Sequence, residues 1–235
     1  TDNYEVGVKS TFFDQRLLAN FAAFWTDDWN YITNVAAPTS GGAVITYIAN
    51  APHVISRGFE LDLRAQPIEG LNVYGSGAFL DAFYASFPSA PCPFEKSYLP
   101  TCDFSGSRIA STPRWAFAVG GEYSRPLGIT DPFEKPIVGF FGADYTWQSS
   151  VFSGSFGDNS NSAYSVIPAY GLLDVHAGVK AEDESWNLTG WIHNALNQHY
   201  FRTLAPVVFG LGPAGLVAGY VGDPLIGGFT FKIKL

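Results

Sequence analysis

Side chains change character at every second residue over most of this chain. From Trp186 to His193, Trp186, Leu188, Gly190 and Ile192 fall on one side, and Asn187, Thr189, Trp191 and His193 on the other. The closing run sets Phe229, Phe231, Ile233 and Leu235 against Thr230, Lys232 and Lys234. A period of two is that of a β-strand, whose successive side chains point to opposite faces of a sheet. The same alternation predicts a first strand over Tyr4–Phe13 and a second from Leu17 past Trp25, where Leu18 and Phe24 break the pattern. A third strand ends near Ala65, with Phe59, Leu61 and Leu63 opposing Glu60, Asp62 and Arg64, and a fourth spans Leu71–Tyr84. Further strands hold Trp115, Phe117, Val119 and Tyr123, then Phe141, Ala143, Tyr145 and Trp147, then Leu173, Val175, Ala177 and Val179. Sustained 3.6-residue periodicity is missing, so helices are not expected.

The nine predicted strands are joined by connections that alternate short and long. Asp14-Gln15-Arg16, Pro67–Gly70, Pro126–Pro136 and Glu182-Asp183-Glu184 are the short ones; the long ones fall near residues 28–46, 85–111, 149–167 and 201–226. A soluble sandwich has no reason to segregate loop lengths. A membrane barrel does, with short turns at its periplasmic end and long loops outside. Many strands also reach the roughly 9 to 11 residues that a tilted membrane-spanning strand needs. Tyr4, Trp25, Trp29, Tyr31, Trp147 and Trp186 cluster toward strand ends, where an interfacial aromatic girdle would lie.

Composition sharpens this picture. Charged residues make up 14% of the chain and aromatics 16%, against about 25% charge in ordinary soluble domains. No run of about 18 apolar residues exists, which excludes a transmembrane helix. Thirteen basic against 21 acidic residues give a net charge of −8, and nucleic acid is not an expected partner. The chain opens on Thr1 and holds no Met, so any signal peptide is expected upstream of it.

Three stretches now resemble one family. YEVGVKSTFFDQRL, with Tyr4, Glu5, Gly7 and Lys9, resembles the recurrent Y-E-x-G-x-K strand and turn of the TonB-dependent receptors of the Gram-negative outer membrane. GFELDLRAQPIEGL, with Gly58 and Glu60, is similar to that family's G-x-E-L strand–turn–strand unit. HNALNQHY matches its late N-L-x-[ND]-x-x-Y motif at Asn194, Asn197 and Tyr200, with Ala195 in place of the usual Leu. The family's usual terminal aromatic is replaced by Leu235. The resemblance implies an all-β, antiparallel transmembrane barrel of about 22 strands, of which residues 1–235 form the C-terminal portion. An N-terminal plug domain and the earlier strands would lie outside it. It further implies a receptor and active transporter for a scarce large ligand: a metal–siderophore complex, a cobalamin-like molecule or an oligosaccharide. Its expected partners are the TonB energy-transducing complex, outer-membrane lipid and lipopolysaccharide.

Chemistry in the sequence is sparse. No catalytic, metal-binding or cofactor-binding constellation stands out among His53, His176, His193 and His199. Asp174 and His176 share a face two residues apart, half of a hydrolase triad, and read as ordinary lining of a wet interior. Glu60, Asp62, Arg64, Asp144, Asp174, His176 and Lys180 are the candidate lumen-lining residues. Cys92 and Cys102, in one Pro-rich loop, are a candidate disulfide in an oxidising, cell-surface setting. Asp27, Asp28, Trp29, Asp103, Phe104, Phe156 and Asp158 are candidates for ligand capture in the long loops. A plug-less porin or adhesin, and less readily a barrel-embedded lipid hydrolase, are the rival functions.

Overall fold

A computed structural model describes residues 1–38, 44–96, 98–154, 162–207 and 216–234. Nine strands form one antiparallel sheet: β1 (Asp2–Phe12), β2 (Leu17–Pro38), β3 (Val44–Ile68), β4 (Leu71–Ser86), β5 (Trp115–Thr130), β6 (Pro136–Gln148), β9 (Tyr170–Ala181), β10 (Trp186–His193) and β13 (Ile226–Ile233). They lie side by side in chain order. Two small ribbons interrupt that series in sequence but not in the sheet: β7 (Val151–Phe152) with β8 (Val166–Ile167), and β11 (Phe201–Val207) with β12 (Leu216–Val221). The sheet is open, ending at β1 on one side and β13 on the other.

Register makes the alternation three-dimensional. Gly7, Ala22, Glu60, Ala78, Ala116, Gln148 and Tyr170 pair in succession across seven strands, and so share one face. One position along, Val8, Phe21, Leu61, Gly77, Phe117 and Trp147 form the equivalent row on the other. That second face carries many large apolar side chains that no described residue covers: Phe231 is 63% exposed, and Val6, Val8, Phe117 and Phe141 are also exposed. A contiguous apolar surface of this extent is not viable against water. It fits a hydrocarbon solvent, which demands an apolar exterior and a backbone satisfied by the strand ladder.

A buried apolar cluster sits elsewhere. Val35, Ala51, Val54, Tyr84, Phe87, Ala90 and Phe104 form a cluster at the loop end of β2, β3 and β4. This corrects the expected long connection at 28–46, because β2 continues to Pro38 and β3 begins at Val44, with register held from Tyr31↔Ala51 to Pro38↔Val44. The ladder skips one pair, Asn30 with Pro52, where Asn30 is left-handed (φ 56°) and the proline has no N–H to give. Beyond that break the hairpin resumes and packs against the following loop. The connection at 201–226 likewise holds the β11–β12 ribbon rather than loop alone.

Candidate functional site

A concavity of about 820 Å³ spans the sheet from β1 to β9, and Glu5, Lys9, Glu60, Asp62, Thr146 and Tyr170 border it. Nearer the turns, the next row across the face is Thr11, Leu18, Arg64, Tyr74, Gly120, Asp144 and Asp174. Below it come Asn72, Glu122, Gly142 and His176. All seven candidate lining residues therefore occupy the same face of the sheet. Leu18 and Phe24, which blurred the sequence pattern, belong to it too; the Phe24 ring lies over Gly58, where an added Cβ would sit 3.2 Å from it.

The Tyr74, His176 and His193 side chains pair across strands, whereas Arg64 and Lys180 find partners along the chain. The Tyr74 hydroxyl donates to Asp144 over Gly120, where a Cβ would collide with both side chains. His176 Nε2 lies 3.1 Å from a Glu122 carboxylate oxygen, and its ring crosses Gly142 in the same way. His193 Nδ1 is 2.9 Å from Asp174, whose other oxygen accepts the Asn194 N–H at 2.8 Å. Asp174 and His176 thus face different partners and do not form the hydrogen-bonded pair that triad chemistry needs. Arg64 approaches Asp62 at 3.6 Å, and Lys180 approaches Glu184 at 3.4 Å. Among the described residues, no group of three or more His, Cys, Asp or Glu is placed to hold a metal. Tyr74 and Glu122 were not among the sequence candidates, although their even positions on β4 and β5 put them in phase with those that were.

The motif residues do separate jobs. On β1, Tyr4 pairs with Trp25 on the apolar face, while Glu5, Gly7 and Lys9 lie on the polar face. Asn194 is buried and left-handed; its amide donates to the carbonyls of Gln198 and Asp223, each at 2.9 Å, and accepts the Gln198 N–H at 2.8 Å. Asn197, also left-handed, accepts the Leu225 N–H at 3.1 Å. Tyr200 stacks on Tyr170 at 4.4 Å. Together they fasten the exit of β10 to the approach to β13.

The loop end of the sheet forms a continuous wall. Cys92 and Cys102 are disulfide-bonded, and Tyr84 and Phe104, 0% and 1% exposed, pack in the adjoining core. Glu95 then reaches the next connection, accepting from the Ser162 hydroxyl at 3.1 Å and the Ala163 N–H at 3.0 Å. Ser153 continues the chain of contacts, lying 3.2 Å from the Thr203 hydroxyl and accepting the Leu204 N–H at 3.0 Å. Of the capture candidates, Phe104 is corrected: its ring fills the core and is not offered to a ligand. Asp27 bonds His53 at 2.8 Å, and Trp29 stacks on that imidazole at 3.9 Å. Asp28 accepts from Thr1, and Asp103 from Ser105, whose hydroxyl and N–H hold the carboxyl below its usual range. Phe156 and Asp158 lie outside the described residues. No sequence signal pointed to Glu95.

A family model described as "TonB dependent receptor-like, beta-barrel" matches residues 1–195. Among solved structures, the chain is similar to the ferric yersiniabactin uptake receptor FyuA from Yersinia pestis: TM-score 0.64, 14% identity, 98% of this chain and 29% of that one. It is also similar to the siderophore receptor PiuA from Acinetobacter baumannii: TM-score 0.58, 18% identity, 98% of this chain and 28% of that one. A third is FpvA of P. aeruginosa in complex with heterologous pyoverdines: TM-score 0.57, 16% identity, 97% of this chain and 26% of that one. At these identities the likeness is one of fold. The chain spans less than a third of each of these proteins.

Proposed function

The chain belongs to the TonB-dependent receptor β-barrel family, and from that premise we propose that it is the C-terminal portion of an outer-membrane active transporter. Its open sheet, covering under a third of each similar receptor, supports a larger barrel completed by strands from the rest of the protein. Those strands would satisfy the free edges of β1 and β13, which hydrocarbon does not tolerate unpaired. The ligand is a metal–siderophore complex, the class named for the similar solved receptors. The observation that carries the reading is the division of one sheet into an uncovered apolar face and a polar concave face, within the family match.

In this reading the barrel does no covalent chemistry. Its wall is rigid, its lumen is lined by residues such as Glu60, Asp62, Asp144 and Lys180, and the tied loops form part of the outer vestibule. A plug elsewhere in the protein, pulled by the TonB complex at the expense of the proton-motive force, releases the ligand inward. The test is uptake of radio-iron siderophore by cells carrying or lacking the full-length protein, with and without a protonophore. Uptake that needs both the protein and the proton-motive force is expected. Protein-dependent uptake that survives the protonophore would assign a passive porin instead.

A further inference from the structure

Among the described residues the buried polar side chains are Asp131 at the turn end, Asn194 after β10, and three serines at the loop end. Ser153, Ser162 and Ser165 are 3%, 5% and 1% exposed, and they are joined in series. Ser162 caps a short 3-10 turn, Ala163–Ser165, by accepting the Tyr164 N–H at 3.3 Å. The Ser165 hydroxyl donates to the Ser162 carbonyl at 3.0 Å, and the Ser165 carbonyl accepts the Ser153 N–H at 2.7 Å. Ser153 in turn holds Thr203 and Leu204 of β11. At the head of the series stands Glu95, one carboxylate oxygen on the Ser162 hydroxyl and the other on the Ala163 N–H. No cation lies within 4 Å of it among the described residues, so these two donors hold the charge. The series thus runs from the connection at 85–111 through that at 149–167 to that at 201–226.

Burial decides how such a series opens. Breaking one link alone strands a buried hydroxyl or N–H without a partner, which costs more than the bond itself contributes. Parting the whole series admits water to every group at once. Opening one connection at a time is therefore disfavoured against opening all three. Glu95 is the charged member, and hydrogen bonds to a charged group are the strong ones. Its own side is fixed: it sits in the turn Phe94–Lys96, inside the loop closed by Cys92 and Cys102, with the Lys96 N–H on the Pro93 carbonyl at 2.8 Å. Under the series lies a cleft of about 350 Å³, bordered by Ser153 and Thr203 from the connections and by Gln148 and Tyr170 from the polar row. Moving the series uncovers the loop end of the polar face. A separate tie, the Ser111 N–H on the Phe152 carbonyl at 2.7 Å, stands outside it, close to the start of β5.

We propose that Glu95 latches the three connections into one flap, which opens and shuts as a unit over this cleft. Access from the loop side to the polar face is then all-or-none, set by one carboxylate and three buried serines. The test is hydrogen exchange of the full-length protein, read at single amides by fragmentation mass spectrometry. In wild type the Ala163, Ser153 and Leu204 amides are expected to share one opening, with intrinsic-rate-corrected exchange agreeing within about a factor of three. E95A is expected to speed all three together, on the order of tenfold, although Glu95 bonds neither Ser153 nor Leu204. S153A, at the far end, is expected to speed Ala163 by a similar factor, and the Ser111 amide is expected to keep its protection in both variants. These cross-responses are what a merely local contact would not produce. E95A that frees Ala163 alone, or S153A that frees Leu204 alone, overturns the proposal, as do wild-type amides that open with widely different protection. That the flap covers a transport vestibule rests on the barrel reading above, whereas the cross-response does not. Absence of the protein from outer membranes would refute the barrel, and uncoupled exchange would refute the latch.

Discussion

Replacing Cys92 and Cys102 by serine in the full-length protein isolates the outer wall from the sheet that carries it. The disulfide closes a loop with a sequence separation of 10, for which the chain-entropy relation gives about 3 kcal/mol of stabilisation. That free energy acts locally, because the bridged segment is held by its own contacts. Ala90 and Cys102 exchange backbone hydrogen bonds of 2.9 and 2.8 Å, and the Phe104 N–H reaches the Phe87 carbonyl at 2.9 Å. Below them the β4–β5 ladder, from Leu71↔Tyr123 to Phe79↔Trp115, owes nothing to the bridge. Hydrogen exchange followed by mass spectrometry is the assay. In the C92S/C102S protein, amides of residues 87–104 are expected to exchange on the order of 100-fold faster, with the β4 and β5 amides unchanged. Unchanged protection in the loop would mean that the Tyr84–Phe87–Phe104 core alone determines its opening. Protection lost down β4 would mean that wall and barrel open as one unit. Either result refutes the separation.

The turn end provides a pH test. Lys135 bonds Asp183 and Ser185, each at 2.8 Å, and Asp131 accepts the Trp186 indole N–H at 2.8 Å. The Lys135 and Trp186 contacts respectively hold Asp183 and Asp131 below the usual carboxylate range. Since both folded pKa values are depressed, their stabilisation is full above the unfolded value near 4 and is lost as pH falls through the folded values. The temperature at which the folded band disappears on unheated-versus-heated gels should drop between about pH 5 and pH 2, and less steeply in D131N/D183N. Gly142→Ala places a methyl against the His176 ring and should cost about 1–3 kcal/mol in denaturant titration of the refolded barrel, with His176→Ala restoring most of it. Asn194→Ala strips three hydrogen bonds from a buried left-handed residue and should cost about 2–4 kcal/mol; an unaltered titration midpoint would show that the β10–β13 fastening is dispensable.

The strands were legible where one side chain in two faces an apolar solvent, as along β9, β10 and β13. Legibility failed where that contrast vanishes. In the outer half of β2 and β3, exposed Ile32 and Ile48 lie level with Asn50 and Asn34 across the ladder. There the alternation no longer separates oil from water, and Asp27-Asp28 and Pro38 read as loop. Of the site, the polar face followed from parity alone, so Glu60, Asp62, Arg64 and Asp144 could be placed before any coordinates. Their partners could not. His176 meets Glu122 54 positions away and Tyr74 meets Asp144 70 positions away, and only register brings such residues together. The wall was least legible, since Phe87, Phe104 and Glu95 sit in segments without periodicity.

One chain thus solves two packing problems with different physics. Within the spanning sheet nothing needs to be buried by protein: the apolar face is its own boundary with lipid, and the backbone is satisfied by the ladder. Small residues on the polar face then serve to let long side chains cross, as Gly120 does beneath Tyr74 and Asp144. Above the membrane, water returns as the solvent. There the chain needs what a small soluble domain needs, a closed apolar core with a disulfide beside it, because so few residues bury too little surface alone. Val35, Tyr84, Phe87 and Phe104 supply the core, and Cys92–Cys102 the crosslink. The position of that change agrees with the aromatic row of Phe59, Phe79 and Trp115 and with Arg57 and Arg114, which both bond Asp81 on its loop side. Core, girdle and charge therefore mark one boundary from three independent sets of residues.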